Sequence, residues 1–553
     1  MRASLPLVPD HPTGSAAGSA GMRRVWARLL LPAATTAALV YLMSAAVGAL
    51  VAYEPEPARL RFATLAAGLA VCAALWQAGA ARRWRVLAAL SVAAGPLALG
   101  LGIWSRFAQP HMAAALAETI AILLPLQAGG AALAYRQGRR LTAELLGAGL
   151  LLNGWLLILS GERSVWLAAA IGLPSAILVA EGAMARPHAT GWRWARRAGA
   201  GIAAAAGLLY LLLLVWPPAA TAVLAQRAAL WRDMIRLAAD YRFTGSGLGM
   251  TAMVASSYLF LLHVPLYDHA HNLYIQMALE QGVFGVMGFG GMALATLGMA
   301  QKVAGAGDPA RRVLGACALA ALVTLLVHGL LDAELYASVL LPLLFLPFGL
   351  VWGLYAAARQ ETADAGQPAR GLAGAGAGIT AVLLWAVLLW AALGGRGAWA
   401  ANQGALAQTR AELRVYRWPQ WVLQDQVRRS AAVNLEPALA YYQAALDLDP
   451  SNVTAQRRLG QIALARGEAA TARRYLSAAY ALAPHDRVVR QLLGESDALA
   501  GNLPAAVHLW QGIDLGEGQL DVRLAWYAFL GNMHDRQQMQ EAINLYERGS
   551  ALP

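Results

Sequence analysis

The 553-residue sequence is short of charge, and shorter still of acid. Only 13% of its residues are charged, with 31 Asp and Glu against 43 Lys and Arg. With 58% hydrophobic residues and a mean hydropathy of +0.48, that scarcity excludes a chain that is soluble throughout. Cysteine occurs twice, as Cys72 and Cys317, each inside an apolar run. That speaks against a disulfide framework or a cysteine metal centre, and both read as small core residues. The net charge of +12 would suit a nucleic-acid binder, but no basic groove with interleaved aromatics is present. The arginines come instead in short clusters between apolar runs, where they orient membrane helices.

What is present is a series of apolar stretches near twenty residues long, the length a spanning helix needs. They fall at 29–52, 60–80, 86–104, 112–134, 141–159, 164–182, 198–216, 273–300, 313–331, 337–357 and 371–394, which makes eleven. The first is too long for a cleaved signal and has no convincing cleavage site, so residues 1–28 read as a segment ahead of an uncleaved anchor. Alternate connections are basic, among them those with Arg82, Arg83 and Arg85 and with Arg136, Arg139 and Arg140. The intervening ones, such as YEPEPAR, SGER and LDAELYA, are short and poor in clustered positive charge. The positive-inside rule puts the basic set and the N-terminus in the cytoplasm. Arg163, the loop 217–272, Asp332 and the C-terminus then fall on the outer side. The expected fold is all-α: a polytopic membrane bundle over 29–395, then an extracytoplasmic helical domain over 396–553.

The loop 217–272 is the only long connection between spans. Its stretch 226–240 is amphipathic, with Leu230, Met234 and Leu237 on one face and Arg227, Arg232, Asp233 and Arg236 towards the other. That pattern suits an interfacial helix lying on the membrane with arginines reaching lipid phosphate. The turn Gly245-Ser246-Gly247-Leu248-Gly249 follows, with no strand before it, so it reads as a bend that brings backbone N–H groups near an anion. The stretch DHAHNLYIQMALEQGVFG then sets Asp268, His269, His271 and Asn272 at the mouth of an apolar run. Gln276 and Glu280 lie one and two turns further down the helix, in line with Asn272. Polar groups in hydrocarbon are costly and are commonly functional. The bland alternative is a capped helix start with a buried, satisfied Glu280. Gly282 and Gly285 would permit close approach of a neighbouring helix.

Beyond residue 395 the sequence becomes charged and Ala-rich, with a period. Pro450 returns as Pro484, Gly467 as Gly501, Leu459-Gly460 as Leu493-Gly494 and Tyr441 as Tyr475, each at 34 residues. That is the tetratricopeptide period, and a degenerate third unit is expected over 518–553. Such stacks bind partners on a concave face, which suggests a protein partner here. Asp447-Leu448-Asp449 precedes Pro450 and reads as helix termination, not as an acidic metal motif.

His271, Asn272, nine residues, then Gly282 and Gly285 reproduce a motif of the O-antigen ligase family, the lipid-carrier-dependent glycosyltransferases of Wzy-C type, which this region resembles. Arg163 with Leu167 matches the family's Arg-x-x-x-Leu, and Arg227 stands ahead of the amphipathic segment and Gly-x-Gly turn as in the family. The resemblance covers roughly 150–350 and implies a GT-C-like membrane bundle that moves a glycan from polyprenyl diphosphate to an acceptor hydroxyl. It implies His271 as base, with Arg163 and Arg227 on the diphosphate, and neither metal nor cofactor. Guanidinium suits the phosphate work, being permanently charged and bidentate, and imidazole suits proton transfer near neutral pH. Snorkelling arginines and a helix-end histidine remain the alternatives. Asn272, Glu280, Arg232 and Asp332 are the expected supporting residues. His328, one turn before Asp332, either shapes the donor site or caps its helix.

A metal held by His269, His271 and Asp268 is too local in sequence to complete a sphere. Glu54 and Glu56 form a rival acidic pair, or merely a rigid turn between helices. The expected setting is a bacterial inner membrane, and the expected partners are the carrier-linked glycan, the bilayer and a glycolipid or protein acceptor, with no nucleic acid. A polysaccharide polymerase, a protein O-oligosaccharyltransferase and a lipid-linked glycan flippase with a scaffold domain are the competing readings.

Overall fold

The computed structural model describes residues 14–81, 93, 97, 100, 103–104, 110–172, 218–304, 308–364, 388, 390–416, 423–513, 515 and 519–550. Helices account for nearly all regular structure, and no strand occurs among these residues. Seven helices are long and apolar enough to cross a membrane: Leu30–Val51, Pro55–Ala80, Met112–Arg136, Arg140–Leu159, Leu273–Val303, Pro309–Gly329 and Leu341–Gln360. Each coincides with one of the expected spans. The other four, at 86–104, 164–182, 198–216 and 371–394, lie wholly or mostly outside the described residues, although 163–172 is helical.

Small residues set how closely the spans pack. A side chain at Gly288 would lie 2.6 Å from the backbone of Tyr41, and one at Gly79 would lie 1.9 Å from the carbonyl of Gly353. Lipid offers no hydrophobic drive for helix association, so such close backbone contact is what joins spans. The long helix Gly14–Val51 thus lies along Leu273–Ala304, and Pro55–Ala80 along Leu346–Asp364. Tyr41, Phe289, Phe345 and Phe348 fill the space between them. Both cysteines are free and buried in this packing.

The stretch expected to lie on the membrane is part of a longer helix, Pro218–Asp240, and its apolar face is turned inward to protein. Leu230, Met234 and Leu237 are buried in the same core as the spans. Protein, not lipid, covers the stripe because the following chain folds back over it, through the π-turn Ser256–Phe260 and helix Leu273–Ala304.

The glycine turn also differs from its expected role. The Gly245 N–H donates to Tyr241, that of Ser246 to Leu279 and that of Leu248 to Gly48, so these donors are spent on carbonyls and are not offered to an anion. The turn fills a break in helix Leu273–Ala304, where Gly282 takes φ 70° and Val283 N–H donates to the Arg242 carbonyl. A Cβ at Gly282 would meet Phe243 backbone at 2.7 Å, so Gly282 serves a left-handed break and not a helix crossing. Gly285 makes room for the Gln281 side chain of its own helix.

The C-terminal residues form consecutive helix pairs, Val453–Arg466 with Ala469–Leu482, Arg487–Leu499 with Leu503–Gln511, and Gln519–Phe529 with Met533–Ser550. The 34-residue period has a structural meaning in each of the first two pairs. Gly467 and Gly501 end the first helix at φ 83° and 78°. Gly460 and Gly494 admit Leu476 and Trp510 from the second helix. Asp449 stops helix Glu436–Leu448 and accepts from Ser451 N–H at 3.0 Å, a helix end as expected.

Candidate active site

The site is assembled where helix Leu273–Ala304 begins and helix Pro309–Gly329 ends. Asn272 joins the two ends. Its Oδ1 accepts from Tyr274 and Ile275 N–H at 3.0 and 3.1 Å, which caps one helix, and its Nδ2 donates to the Leu330 carbonyl at 2.9 Å beyond the other. Gln276, one turn down, accepts the Ala270 N–H at 2.9 Å, which holds the backbone between the two histidines. Trp231 Nε1 donates to the His271 carbonyl at 3.0 Å. Tethered on these sides, His271 sits at φ 48°, a left-handed conformation that a non-glycine residue rarely takes.

Asp332 is the centre of the cluster. Its Oδ1 accepts from His269 Nε2 at 3.0 Å and from His271 Nδ1 at 3.3 Å, while Oδ2 lies 3.6 Å from Arg227 Nη2. Arg227 also donates to the Leu331 carbonyl at 2.7 Å. The histidine rings are 4.3 Å apart. His269 Nε2 lies 3.5 Å from Glu334 as well. Burial works to raise the Asp332 carboxyl, but hydrogen bonds and charge from the two histidines outweigh it and hold the group well below its ordinary range. Burial would lower His269, yet its bond to Asp332 and the nearby carboxylates raise it. Burial, with Asp332 near, pushes Glu334 up to about 7. Glu162 is raised for the same two reasons.

A second histidine–carboxylate pair lies beside the first. His328 Nδ1 is 3.0 Å from Glu118 Oε1, Glu118 Oε2 accepts the Leu335 N–H at 2.9 Å, and His328 Nε2 is 3.3 Å from the Ser164 hydroxyl. Arg163 is exposed between Glu162 and Ser164, and those neighbours, not Arg163 itself, make the described contacts with the cluster. Of the three residues expected to converge, Arg227 and His271 thus share Asp332, while Arg163 stands at the edge. Arg232 is exposed on helix Pro218–Asp240. Glu280 is buried below the site, accepting from Gln276 at 2.7 Å and Tyr336 at 3.2 Å, with Arg61 at 4.0 Å. It is the satisfied buried acid of the bland alternative, and it steadies Gln276.

Three donor atoms, from His269, His271 and Asp332, lie within 4.8 Å of one another and are able to hold a metal ion. Asp332, not the exposed Asp268, completes the group, so the objection that the ligands are too local does not stand. Glu54 and Glu56 sit at the start of helix Pro55–Ala80 and belong to no such group among the described residues.

A multi-pass helical bundle with a histidine, carboxylate and arginine cluster at the end carrying its long loop defines the class. Within it, residues 148–290 match the Wzy_C family model, described as O-antigen ligase. The match takes in Arg163, Arg227, His269 and His271 and stops short of His328, Asp332 and Glu334. No curated protein matches the chain. The domain supports a membrane glycosyltransferase-like function.

Proposed function

We propose that the protein is a membrane glycosyltransferase that moves a glycan from a polyprenyl diphosphate to an acceptor hydroxyl, in the manner of an O-antigen ligase. The observation that carries this reading is the single carboxylate that orients His271 beside Arg227. With Nδ1 donating to Asp332, His271 keeps Nε2 as its basic nitrogen, the arrangement a general base needs. His271 Nε2 takes the acceptor's proton as its oxygen bonds to the anomeric carbon. The bond from that carbon to the diphosphate oxygen breaks, and its electron pair leaves with the diphosphate. Arg227, and Arg163 at the edge, stabilise the charge that collects there. Asn272, Gln276 and Glu280 hold the histidine loop in place, and Arg232 is offered to lipid or donor phosphate.

The setting we infer is a bacterial inner membrane, with the loop end and residues 396–553 on the periplasmic side. The C-terminal helix pairs are read as tetratricopeptide repeats. The acceptor is a glycolipid, a growing polysaccharide or a protein. A broken span is a feature that lipid-linked glycan transporters would share, but the break at Gly282 is filled by the chain's own turn.

The test is a membrane assay with carrier-linked glycan. His271→Ala should leave the carrier-linked glycan to accumulate, and the missing product then identifies the acceptor. Transfer by this variant at the parental rate would remove the mechanism. Chelation should change nothing. If transfer is lost with the metal and returns with an added divalent ion, His269, His271 and Asp332 become ligands.

A further inference from the structure

Helices of a pair should each bury one stripe, and one of them does not. In Ala469–Leu482 three of fourteen residues are buried, Ala472, Leu476 and Ala479. In its partner Val453–Arg466 eleven of fourteen are, including Arg457, Arg458 and Gln461. Arg487–Leu499 is buried to the same degree, with Arg487, Gln491 and Glu495 inside. That face is covered in part by neighbouring C-terminal helices, Gln424–Arg429 among them, and in part by the loop of the membrane domain.

The covering segment is read by chemistry, residue by residue. Asp240 receives Arg457 Nη2 at 2.6 Å and Arg458 Nη2 at 2.7 Å, and its other contact is the Thr454 hydroxyl at 2.8 Å. Tyr241 OH lies 2.7 Å from the Thr409 hydroxyl. The Tyr258 ring lies under the Arg458 guanidinium at 3.8 Å, and its OH donates to Glu412 at 3.1 Å. Arg487 donates to the Leu259 carbonyl at 2.8 Å and lies 5.4 Å from the Phe260 ring. Gln424 donates to Ser257 at 2.7 Å.

We infer that the inner face of the C-terminal helical domain is a binding site for an acidic–aromatic peptide segment, filled in this protein by its own residues 240–260. The domain then works in cis, as a clamp on the helix that carries the site's arginine. Asp240 closes helix Pro218–Asp240, and Arg227 and Trp231 lie about 20 Å or less up the same helix, where they meet Asp332 and His271. With this face filled in cis, an outside protein would have to use another surface or displace the segment, and the inference stands whatever reaction the bundle performs.

The experiment uses the full chain in lipid nanodiscs and reads amide hydrogen exchange. Asp240→Arg sets a third guanidinium against Arg457 and Arg458. It should raise exchange over 251–263 about tenfold while leaving 273–300 unchanged. The milder Thr409→Val should raise it severalfold at the same amides, and this variant decides if Asp240→Arg also loosens the spans. Wild-type protection of 251–263 in Thr409→Val together with Asp240→Arg overturns the clamp. A labelled peptide of residues 238–262 should bind the Asp240→Arg chain saturably, lose that binding when Arg458→Ala is added, and ignore the wild type. Equal binding to wild type and Asp240→Arg would show an open face and overturn the proposal.

Discussion

Two groups of charged residues flank the same loop, and they differ in how far they are open to solvent. Around the clamp, charges are buried and paired. Asp240 is held by two arginines, Arg428 by Glu412 at 2.9 Å and Asp425 at 2.6 Å, and Arg523 by Asp425 and Glu495. Burial works to raise the Asp240 carboxyl, but the arginines outweigh it and keep it below its ordinary range. The ion pairs of Asp332 run from 3.0 to 3.6 Å, and side-chain exposure remains 32% at Arg227 and 27% at His271. A buried, paired ion network holds shape; a network with an open side has room left for a ligand.

If that contrast is sound, variants in the two groups should fail in different ways. The largest effect falls on rate: His271→Ala should cut transfer by about 10²–10⁴-fold with donor binding nearly unchanged, measured as product formation against donor affinity. A variant with normal rate would end the distinction. Next, Asp425→Ala leaves Arg428 and Arg523 buried without it and should cost about 3–5 kcal/mol in stability, read as a lower melting temperature in detergent. Turnover per folded molecule should fall far less than in His271→Ala.

Arg227→Ala should weaken donor binding and rate together, with about 1.5–3 kcal/mol lost from its charged contacts. Arg227→Lys should recover only part, since an ammonium lacks the bidentate fork. Equal recovery by lysine would reduce Arg227 to a point charge.

The smallest expected effect is on pH dependence. A carboxyl raised to about 7 retains its proton in the folded state where the unfolded chain has lost it. Glu334 therefore supports the fold at acid pH and withdraws that support as pH rises from its ordinary range through about 7. His269, also raised, loses its contribution as pH rises through its own folded value. Melting temperature should drop from pH 5 to pH 8, and Glu334→Gln should flatten that drop. An unchanged slope would show that Glu334 titrates as a free carboxyl.

The seven described spans were readable because about twenty apolar residues leave few alternatives, and His271 stood out because its motif is contiguous. What sequence did not disclose was partnership across distance. Asp332 stands 61 residues from His271, and Asp240 stands 217 from Arg457, so no local spacing links them. Amphipathicity showed that 226–240 buries one face, but not whether lipid or protein covers it. The sign of a backbone angle is equally silent: Gly282 reads as a packing glycine until φ 70° is seen.

The left-handed backbone at His271 has a further consequence, for how this protein can evolve. Position 271 is one where glycine, and to a lesser degree asparagine, would be more at ease than histidine. Relief of that strain is of order 1–3 kcal/mol where nothing else changes, offset here by the lost Asp332 contact. His271→Gly should therefore melt higher than His271→Ala, with both expected to be inactive on the proposed mechanism. Selection for robustness alone would erode this histidine, and only selection for activity retains it.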